Sequence, residues 1–350
     1  MNRRHRWGTV AAAVVVAGAM ALPAVPAEAA VAAPPLTFGI YPGGYAGGGS
    51  TTGKPDDPAK ISAALDTLQS GRSPFLLRDY IGCDSAFPDD EMRYLAPGRR
   101  LDLVISYTGQ SMADWLACLG REVTRYGPVT DTISVTLEEN ILHDSNGMDA
   151  LAQGVVAAKH AATAAGLHRL QIGFDEVAAS FPDESGQWTD PFLPFWHDLA
   201  GRVGPDFARS VDFVGVDLYP DSGLPGIPDS PDVTAVTDFV HHTLQVVRTQ
   251  EMPTVGLGRN VPIRVSENGY STNTAARSAA DQAKVLTSEI LAVNADRAAE
   301  NVVSYEMFDL RDDLTGSPSG FDNFGLMTDD YTPKPMFWVY AGLIGTIGRH

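Results

Sequence analysis

Short apolar runs rich in β-branched residues recur along the chain, and longer segments with helical periodicity lie between them. The eight runs cover residues 36–41, 75–80, 101–107, 132–136, 170–174, 211–218, 261–265 and 302–308. Their interiors are nearly continuous in apolar character, as expected for strands covered on both faces. Strands that alternate with helices in this way predict a parallel sheet built from βα units.

The segments between the runs carry helix signals of their own. Asp57-Pro58 predicts an N-cap followed by proline at the first helical position, and Ser111 opens the next helix. Further helices are predicted over residues 148–165, 191–199, 233–247, 279–293 and 335–347. Eight strands with intervening helices predict one α/β domain, a (β/α)8 TIM barrel over residues 31–350. The alternative is an open doubly wound sheet, but no Gly-x-Gly-x-x-Gly follows the first run to support a nucleotide site.

The first 30 residues predict a signal peptide. Three arginines precede an apolar run over residues 10–22, and an Ala-Glu-Ala cleavage site ends at residue 29. We therefore expect a secreted, extracellular protein that uses the general secretory route, with a twin-arginine route as the alternative for Arg3-Arg4. No later segment approaches the roughly 18 consecutive apolar residues of a membrane-spanning helix.

Charge narrows the range of partners. The whole chain has a formal net charge of −18, and residues 1–29 contain three arginines and one glutamate, so their removal leaves −20. A surface this acidic repels nucleic acid and anionic lipid and favours neutral or cationic ligands. We expect no nucleic-acid partner, no stable membrane association and a monomeric protein.

The chain contains two cysteines, Cys83 and Cys118, and both remain after the predicted cleavage. An oxidising compartment permits a disulfide between them. Neither has the setting of a nucleophilic thiol, so a structural disulfide is the preferred prediction.

Polar side chains gather where the predicted strands end. They are Arg78, Tyr107, Glu138, Glu139, Asn140, Asp175, Glu176, Asp217, Tyr219, Glu267, Asp309, Arg311 and Asp312. Because barrel enzymes build their sites from the C-terminal ends of strands, we expect these side chains to converge. Glu138 and Glu267, on the fourth and seventh strands, would face each other across the mouth. Hydrolysis of a glycosidic bond needs such a pair, one carboxyl to protonate the leaving oxygen and one carboxylate to attack the sugar.

Three blocks of sequence resemble glycoside hydrolase clan A, the retaining β-glycosidases built on (β/α)8 barrels. Residues 135–140, Val-Thr-Leu-Glu-Glu-Asn, are similar to the clan's Val-Thr-Asn-Glu-x-Asn at the end of strand four. Residues 265–269, Val-Ser-Glu-Asn-Gly, are similar to the nucleophile turn at the end of strand seven. The C-terminal segments 305–312, 324–327 and 333–335 also resemble the end of such barrels. The resemblance covers most of the chain after the signal peptide.

The resemblance implies a retaining O-glycosyl hydrolase that acts on a neutral oligo- or polysaccharide without a cofactor or metal. Glu267 would be the nucleophile and Glu138 the acid/base, with Glu139 as the rival for the second role. Glu138 should stay protonated near neutral pH because of a drier environment and repulsion from Glu267. Asp175 and Glu176 are further rivals, although contact with sugar hydroxyls or capping of the next loop suits them better.

Other residues have expected supporting roles around the substrate. Arg78 would keep a positive charge beside Glu267, and Tyr219 would donate a hydrogen bond to the same carboxylate. Trp188 would stack on a pyranose face. The remaining predicted substrate contacts are Tyr107, Asn140, Asp175 and Phe308.

Two departures from the clan pattern leave an alternative function open. Leu137 occupies the position at which the clan has an Asn that binds the sugar 2-hydroxyl. The eighth strand also lacks the Trp that often forms the floor of the sugar site, and Phe308 is the nearest aromatic residue. The alternative is a catalytically weak or inactive carbohydrate-binding barrel. A third hypothesis is a metal-dependent hydrolase that uses the abundant aspartates.

Overall fold

The computed structural model describes residues 34–44, 53–83, 90–142, 144–183, 185–220, 233–272 and 277–349. The predicted signal peptide lies outside these residues. The strands are β1 Thr37–Ile40, β2 Phe75–Gly82, β3 Arg99–Ser106, β4 Thr130–Val135, β5 Gln171–Val177, β6 Phe181–Pro182, β7 Trp188–Thr189, β8 Phe213–Leu218, β9 Ile263–Asn268 and β10 Val302–Met307. The helices are α1 Pro58–Gln69, α2 Met112–Tyr126, α3 Glu139–Leu142, α4 Ser145–Ala164, α5 Leu193–Arg202, α6 Pro205–Ser210, α7 Val233–Val246, α8 Met252–Thr254, α9 Ala279–Glu300 and α10 Pro335–Ile347.

Eight parallel strands close into a barrel in the order β1-β10-β9-β8-β5-β4-β3-β2. The sixth, seventh and eighth strands of the barrel are therefore β8, β9 and β10. Each of the eight predicted runs overlaps one of these strands, and the (β/α)8 prediction is confirmed. The remaining two strands, β6 and β7, pair as a short antiparallel hairpin in the connection after β5.

Two helices begin after the N-cap residues that the sequence predicts. The Asp57 side chain accepts from the backbone of α1, and Ser111 accepts from the backbone N–H of Asp114 in α2. The final helix α10 spans the predicted residues, and the Tyr340 hydroxyl donates to the backbone oxygen of Gly39 over 2.6 Å. This bond fixes α10 against β1, where the barrel closes. α9 runs longer than predicted, to Glu300, after a capping box at its start.

Apolar side chains form two separate clusters. The larger one fills the layer between the barrel and the surrounding helices. The smaller one, which we call the mouth cluster, contains Tyr41, Tyr80, Val104, Phe308 and Phe324. Aromatic rings therefore line one wall of the barrel next to the strand ends.

The barrel interior is charged where such barrels usually carry apolar layers. Arg78, Asp102, Asp175 and Glu306 are all buried on barrel strands. Glycine makes room for them, because a Cβ atom at Gly215 would lie only 1.8 Å from Oδ1 of Asp175. The buried charged side chains therefore belong to the barrel strands themselves.

Cys83, next to the end of β2, forms a disulfide with Cys118 in α2, as predicted. In the described part of the chain, no helix combines the length and apolar character needed to cross a membrane.

Candidate active site

Glu267 lies near the end of β9, where its carboxylate accepts three hydrogen bonds. Arg78 Nη2 and the Tyr80 hydroxyl donate to Oε1 over 3.0 and 2.5 Å. The Tyr219 hydroxyl donates to Oε2 over 2.9 Å, which is the contact expected from sequence. Donors on both oxygens fix the orientation of the carboxylate, and the guanidinium stabilises its negative charge. An oriented anion of this kind can attack an electrophilic carbon.

The guanidinium of Arg78 also contacts two acids deeper in the barrel. Nη1 lies 2.8 Å from Oδ2 of Asp102, and Nη2 lies 2.7 Å from Oδ2 of Asp175. Burial alone would lower the pKa of Arg78, but neighbouring negative charges, that of Asp175 first, outweigh it and raise the pKa. Arg78 is therefore a permanent cation beneath the nucleophile candidate.

The chain leaves β4 through a turn that contains two residues in the left-handed region. Thr136 has φ 70° and Glu138 has φ 49°. Such residues cost roughly 1–3 kcal/mol when they are not glycine, and they cluster at functional sites. Backbone hydrogen bonds from Thr136 N to Ile105 O and from Ile141 N to Glu138 O hold the turn. The turn ends the side-chain alternation of the strand and brings Glu138 to the barrel mouth.

Three carboxyl groups from separate strands converge at the mouth. Glu138, Asp217 and Glu267 each have one carboxylate oxygen within 4.8 Å of the others. Burial first, and then the negative charge of Glu267, raises the pKa of Glu138 to about 8. At neutral pH a protonated Glu138 therefore lies beside a carboxylate that is bound by Arg78. Two carboxyl groups in contrasting environments are the usual basis for separate acid and nucleophile roles.

The side chain of the neighbouring acid, Glu139, lies outside the barrel mouth. It begins α3 and lines a cavity of about 300 Å³ with Met148 and Phe195, among the helices outside the barrel. Its carboxylate lies against the first turn of α4, because a Cβ atom at Gly147 would be 2.0 Å from Oε2. Burial, and next the charge of Asp144, raises the pKa of Glu139 to about 7. The geometry therefore favours Glu138 over Glu139 as the partner of Glu267.

Two of the predicted substrate contacts, Asn140 and Asp175, have hydrogen-bond partners inside the protein. Asn140 is fully buried, and its side-chain amide exchanges two hydrogen bonds, of 2.7 and 3.1 Å, with the backbone of Val177. Asp175 is 1 % exposed and accepts from Arg78 and from Ser134. These hydrogen bonds give both side chains a structural role inside the barrel.

Two predicted aromatic contacts, Tyr107 and Trp188, have partners within the protein. The Tyr107 hydroxyl donates to the backbone oxygen of Gln110 over 2.8 Å, and its ring packs edge-on against Trp115. Trp188, in β7, stacks on the imidazole of His242 in α7 with 4.1 Å between ring centroids. These contacts pack Tyr107 against a residue of α2 and Trp188 against a residue of α7.

Phe308 does lie beside the site, within the mouth cluster. Its ring stacks on Tyr41 with 5.5 Å between centroids, and Leu137 packs against the same cluster. Tyr80, a member of the cluster that also binds Glu267, was missed by the sequence analysis. The signal was present, because Tyr80 follows Arg78 by two positions and alternate residues of a strand share a face.

Outside the trio of Glu138, Asp217 and Glu267, the described segments contain no group of three His, Cys, Asp or Glu side chains close enough to share a metal ion. The positive charge beside these three carboxyl groups is that of Arg78, which forms an ion pair with Glu267.

Solved structures of low sequence identity contain the same barrel. A family 39 glycoside hydrolase from the gut symbiont Bacteroides cellulosilyticus WH2 matches with a TM-score of 0.61 at 15 % identity, over 90 % of this chain and 64 % of that one. A β-D-glucuronidase from Dictyoglomus thermophilum matches with a TM-score of 0.58 at 12 % identity, over 90 % and 51 %. An apo β-glucosidase, 1317, matches with a TM-score of 0.53 at 12 % identity, over 82 % and 87 %.

At these identities the likeness establishes the fold. The chain has the (β/α)8-barrel fold that these solved glycoside hydrolases contain. It spans between half and two thirds of the length of the first two structures. No protein-family model matches the sequence, and no curated protein matches it.

Proposed function

We propose that the protein is a secreted glycoside hydrolase that cleaves β-glycosidic bonds with retention of configuration. Glu267 is the nucleophile and Glu138 is the acid/base. The observation that carries this proposal is the approach of their carboxylate oxygens to within 4.8 Å. Retaining enzymes place the two carboxyl groups about 5–5.5 Å apart, whereas inverting enzymes leave about 6.5–9.5 Å for a water molecule.

The contrasting environments of the two carboxyls support these roles. Glu267, bound by Arg78, Tyr80 and Tyr219, attacks the anomeric carbon while Glu138 gives its proton to the leaving oxygen. Once the glycosyl ester forms, the charge of Glu267 is lost and its repulsion of a Glu138 anion disappears. Glu138 then accepts a proton from the water that hydrolyses the ester.

A neutral oligo- or polysaccharide is the substrate class that the charges favour. Three cations near the strand ends, Arg78, Arg311 and Lys334, are each paired with a carboxylate in the described structure. All three cations are already paired, so none of them is available to bind the carboxylate of an acidic sugar. Solved neighbours include β-glucuronidases and a β-glucosidase, and the paired cations favour the uncharged type of substrate for this chain.

Secretion is supported by the N-terminal pattern of arginines, apolar run and cleavage site. The disulfide between Cys83 and Cys118 is compatible with an oxidising compartment. A reporter fused after residue 30 should leave the producing cell, and a version without residues 2–30 should stay inside.

The catalytic proposal is tested with a panel of aryl β-glycosides and polysaccharides, assayed beside Glu267→Gln. The wild-type chain should release sugar whose first-formed anomer, observed by NMR, keeps the β configuration. Glu267→Gln should be inactive on every substrate that the wild type cleaves. A first-formed α anomer would contradict retention, and an active Glu267→Gln variant would contradict the nucleophile assignment.

The packing of Leu137 in the mouth cluster favours a second candidate, a carbohydrate-binding barrel with little or no turnover. An apolar residue beside the acid/base cannot hydrogen-bond a sugar hydroxyl. Calorimetric binding of an oligosaccharide without release of reducing ends over long incubation would support this candidate instead.

A further inference from the structure

Asp217 is a third acid at the mouth, and its negative charge would have no hydrogen-bond donor. It lies in β8 as the Cα partner of Glu267 in β9 and is fully buried. Neither of its carboxylate oxygens accepts a hydrogen bond from an N–H or hydroxyl group of the described structure. A buried carboxylate without donors is strongly disfavoured relative to its neutral acid.

The charged groups around Asp217 reinforce this preference. Glu267 faces it from β9, Asp175 from β5 and Glu138 from the turn after β4, and each of these acids opposes its ionisation. The one cation among these neighbours, Arg78, is already bound by Asp175 and Glu267. Burial and these charges raise the pKa of Asp217 well above its usual range, which favours the neutral acid, and one of its carboxyl oxygens lies within 4.8 Å of one of Glu138.

We propose that Asp217 is a positioning residue that keeps its proton through turnover and donates it in a hydrogen bond to Glu138. This inference rests on the proposed glycosidase function. As Glu138 gives its own proton to the leaving oxygen, the glycosidic bond breaks and the bond from the anomeric carbon to Glu267 forms. The Asp217 hydrogen bond then becomes charge-assisted and stabilises the new Glu138 carboxylate.

The second half of the reaction reverses these changes. Water attacks the anomeric carbon, the ester bond to Glu267 breaks, and Glu138 takes the proton that the water loses. Throughout, the Asp217 proton remains on Asp217. Its contribution should therefore be largest when the leaving group needs a proton and small when it does not.

The test compares Asp217→Leu and Asp217→Asn on two substrates that share the sugar preferred by the wild type. The phenyl β-glycoside has a basic leaving group, and the 2,4-dinitrophenyl β-glycoside leaves without protonation. We expect Asp217→Leu to lower kcat/KM by about tenfold or more on the phenyl glycoside, with a much smaller loss on the dinitrophenyl glycoside. Asp217→Asn should recover most of that loss, because its amide N–H still donates to Glu138.

The pH profile provides a second measurement that does not depend on the Leu variant folding. With a neutral Asp217, Asp217→Asn should leave the alkaline limb of kcat/KM close to that of the wild type. An ionised Asp217 would give the opposite result, a shift of that limb to lower pH when its charge is removed. That shift, or an unchanged ratio between the two substrates in Asp217→Leu, would overturn the inference.

Failure of this inference can be separated from failure of the proposed function. An inactive Glu267→Gln variant together with an unchanged substrate ratio in Asp217→Leu would remove only the role of Asp217. An active Glu267→Gln variant would remove the proposed mechanism itself. Thermal unfolding of each variant checks that the barrel is intact.

Discussion

Glu138 and Glu139 are adjacent in the chain, but their carboxyl groups lie in different environments. Glu138 is within 4.8 Å of Glu267 and Asp217 at the barrel mouth, whereas Glu139 lines a cavity with residues of α4 and α5. The left-handed conformation of Glu138 separates them, because it turns the chain from β4 into α3. The pair therefore offers a matched test of the acid/base assignment.

Glu138→Gln should lower kcat/KM on a phenyl β-glycoside by about 10²–10⁴-fold, the usual contribution of general acid catalysis. Glu139→Gln makes the same carboxyl-to-amide change at the next residue and should leave turnover near the wild-type value. Steady-state kinetics of the two variants on one substrate checks this. Loss of activity in the Glu139 variant alone would reverse the assignment.

Tyr80→Phe should reduce kcat by about 10- to 100-fold. The variant loses the 2.5 Å hydrogen bond to Oε1 of Glu267, and hydrogen bonds to charged groups contribute about 1.5–3 kcal/mol. Tyr107→Phe makes the same chemical change at a hydroxyl that binds the backbone of Gln110, and it serves as the control. Equal activity of the two variants would show that Tyr80 does not orient the nucleophile.

The alkaline limb of kcat/KM should fall near pH 8, because Glu138 must be protonated to act on a basic leaving group. Burial and the charge of Glu267 raise the pKa of Glu138 to about 8, so the active protonated form is lost as pH rises through that value. The dinitrophenyl glycoside should not show this limb in its glycosylation step. A limb at the same pH for both substrates would point to a different group.

A second set of buried acids lies outside the mouth and bears on stability. Glu176 in β5 accepts from Trp196 Nε1 over 2.7 Å, and its carboxyl lies within hydrogen-bonding distance of Glu251. Glu251 in turn interacts with the carboxyl of Asp190, and Asp190 interacts electrostatically with His197. Two acids can share a hydrogen bond only when one of them is protonated. This chain of acids therefore requires bound protons in the folded state.

Glu251→Gln should stabilise the protein at pH 7. Burial, and next the charge of Glu176, raises the folded-state pKa of Glu251 well above its usual value. Between the unfolded and folded pKa values only the unfolded state loses its proton, so the free energy of unfolding falls as pH rises. A glutamine at position 251 does not titrate, so this fall in the free energy of unfolding is removed. We expect a Tm increase of at least about 2 °C at pH 7, the shift that about 1 kcal/mol produces in a larger domain.

The comparison of Tm values at pH 4 and pH 7 provides the check. Near pH 4 both states keep most of their protons, so the advantage of Glu251→Gln should shrink there. Asp238→Asn, a change at an exposed side chain of α7, is a control for loss of one negative charge at the surface. A stabilisation equal at both pH values would contradict a proton-linked origin.

The sequence by itself determined the architecture and the position of Glu267. Apolar runs at regular spacing, a capped helix after Asp57 and the Asn-Gly turn after Glu267 are local signals. Local signals suffice for a barrel, because each βα unit carries its own periodicity and the parallel register follows from closure. The final helix was predicted to the residue for the same reason.

Only the tertiary structure decided which side chains join Glu267. The left-handed turn at Thr136 and Glu138 breaks strand alternation, so no periodicity argument could choose between Glu138 and Glu139. Tyr80 and Asp217 reach the site from other strands, through a register that is set by barrel closure. Asn140, Asp175 and Trp188 have the residue types of sugar contacts, and only the structure shows which partners inside the protein they contact. Burial and partner choice depend on residues far apart in sequence, and closure of the barrel brings them together.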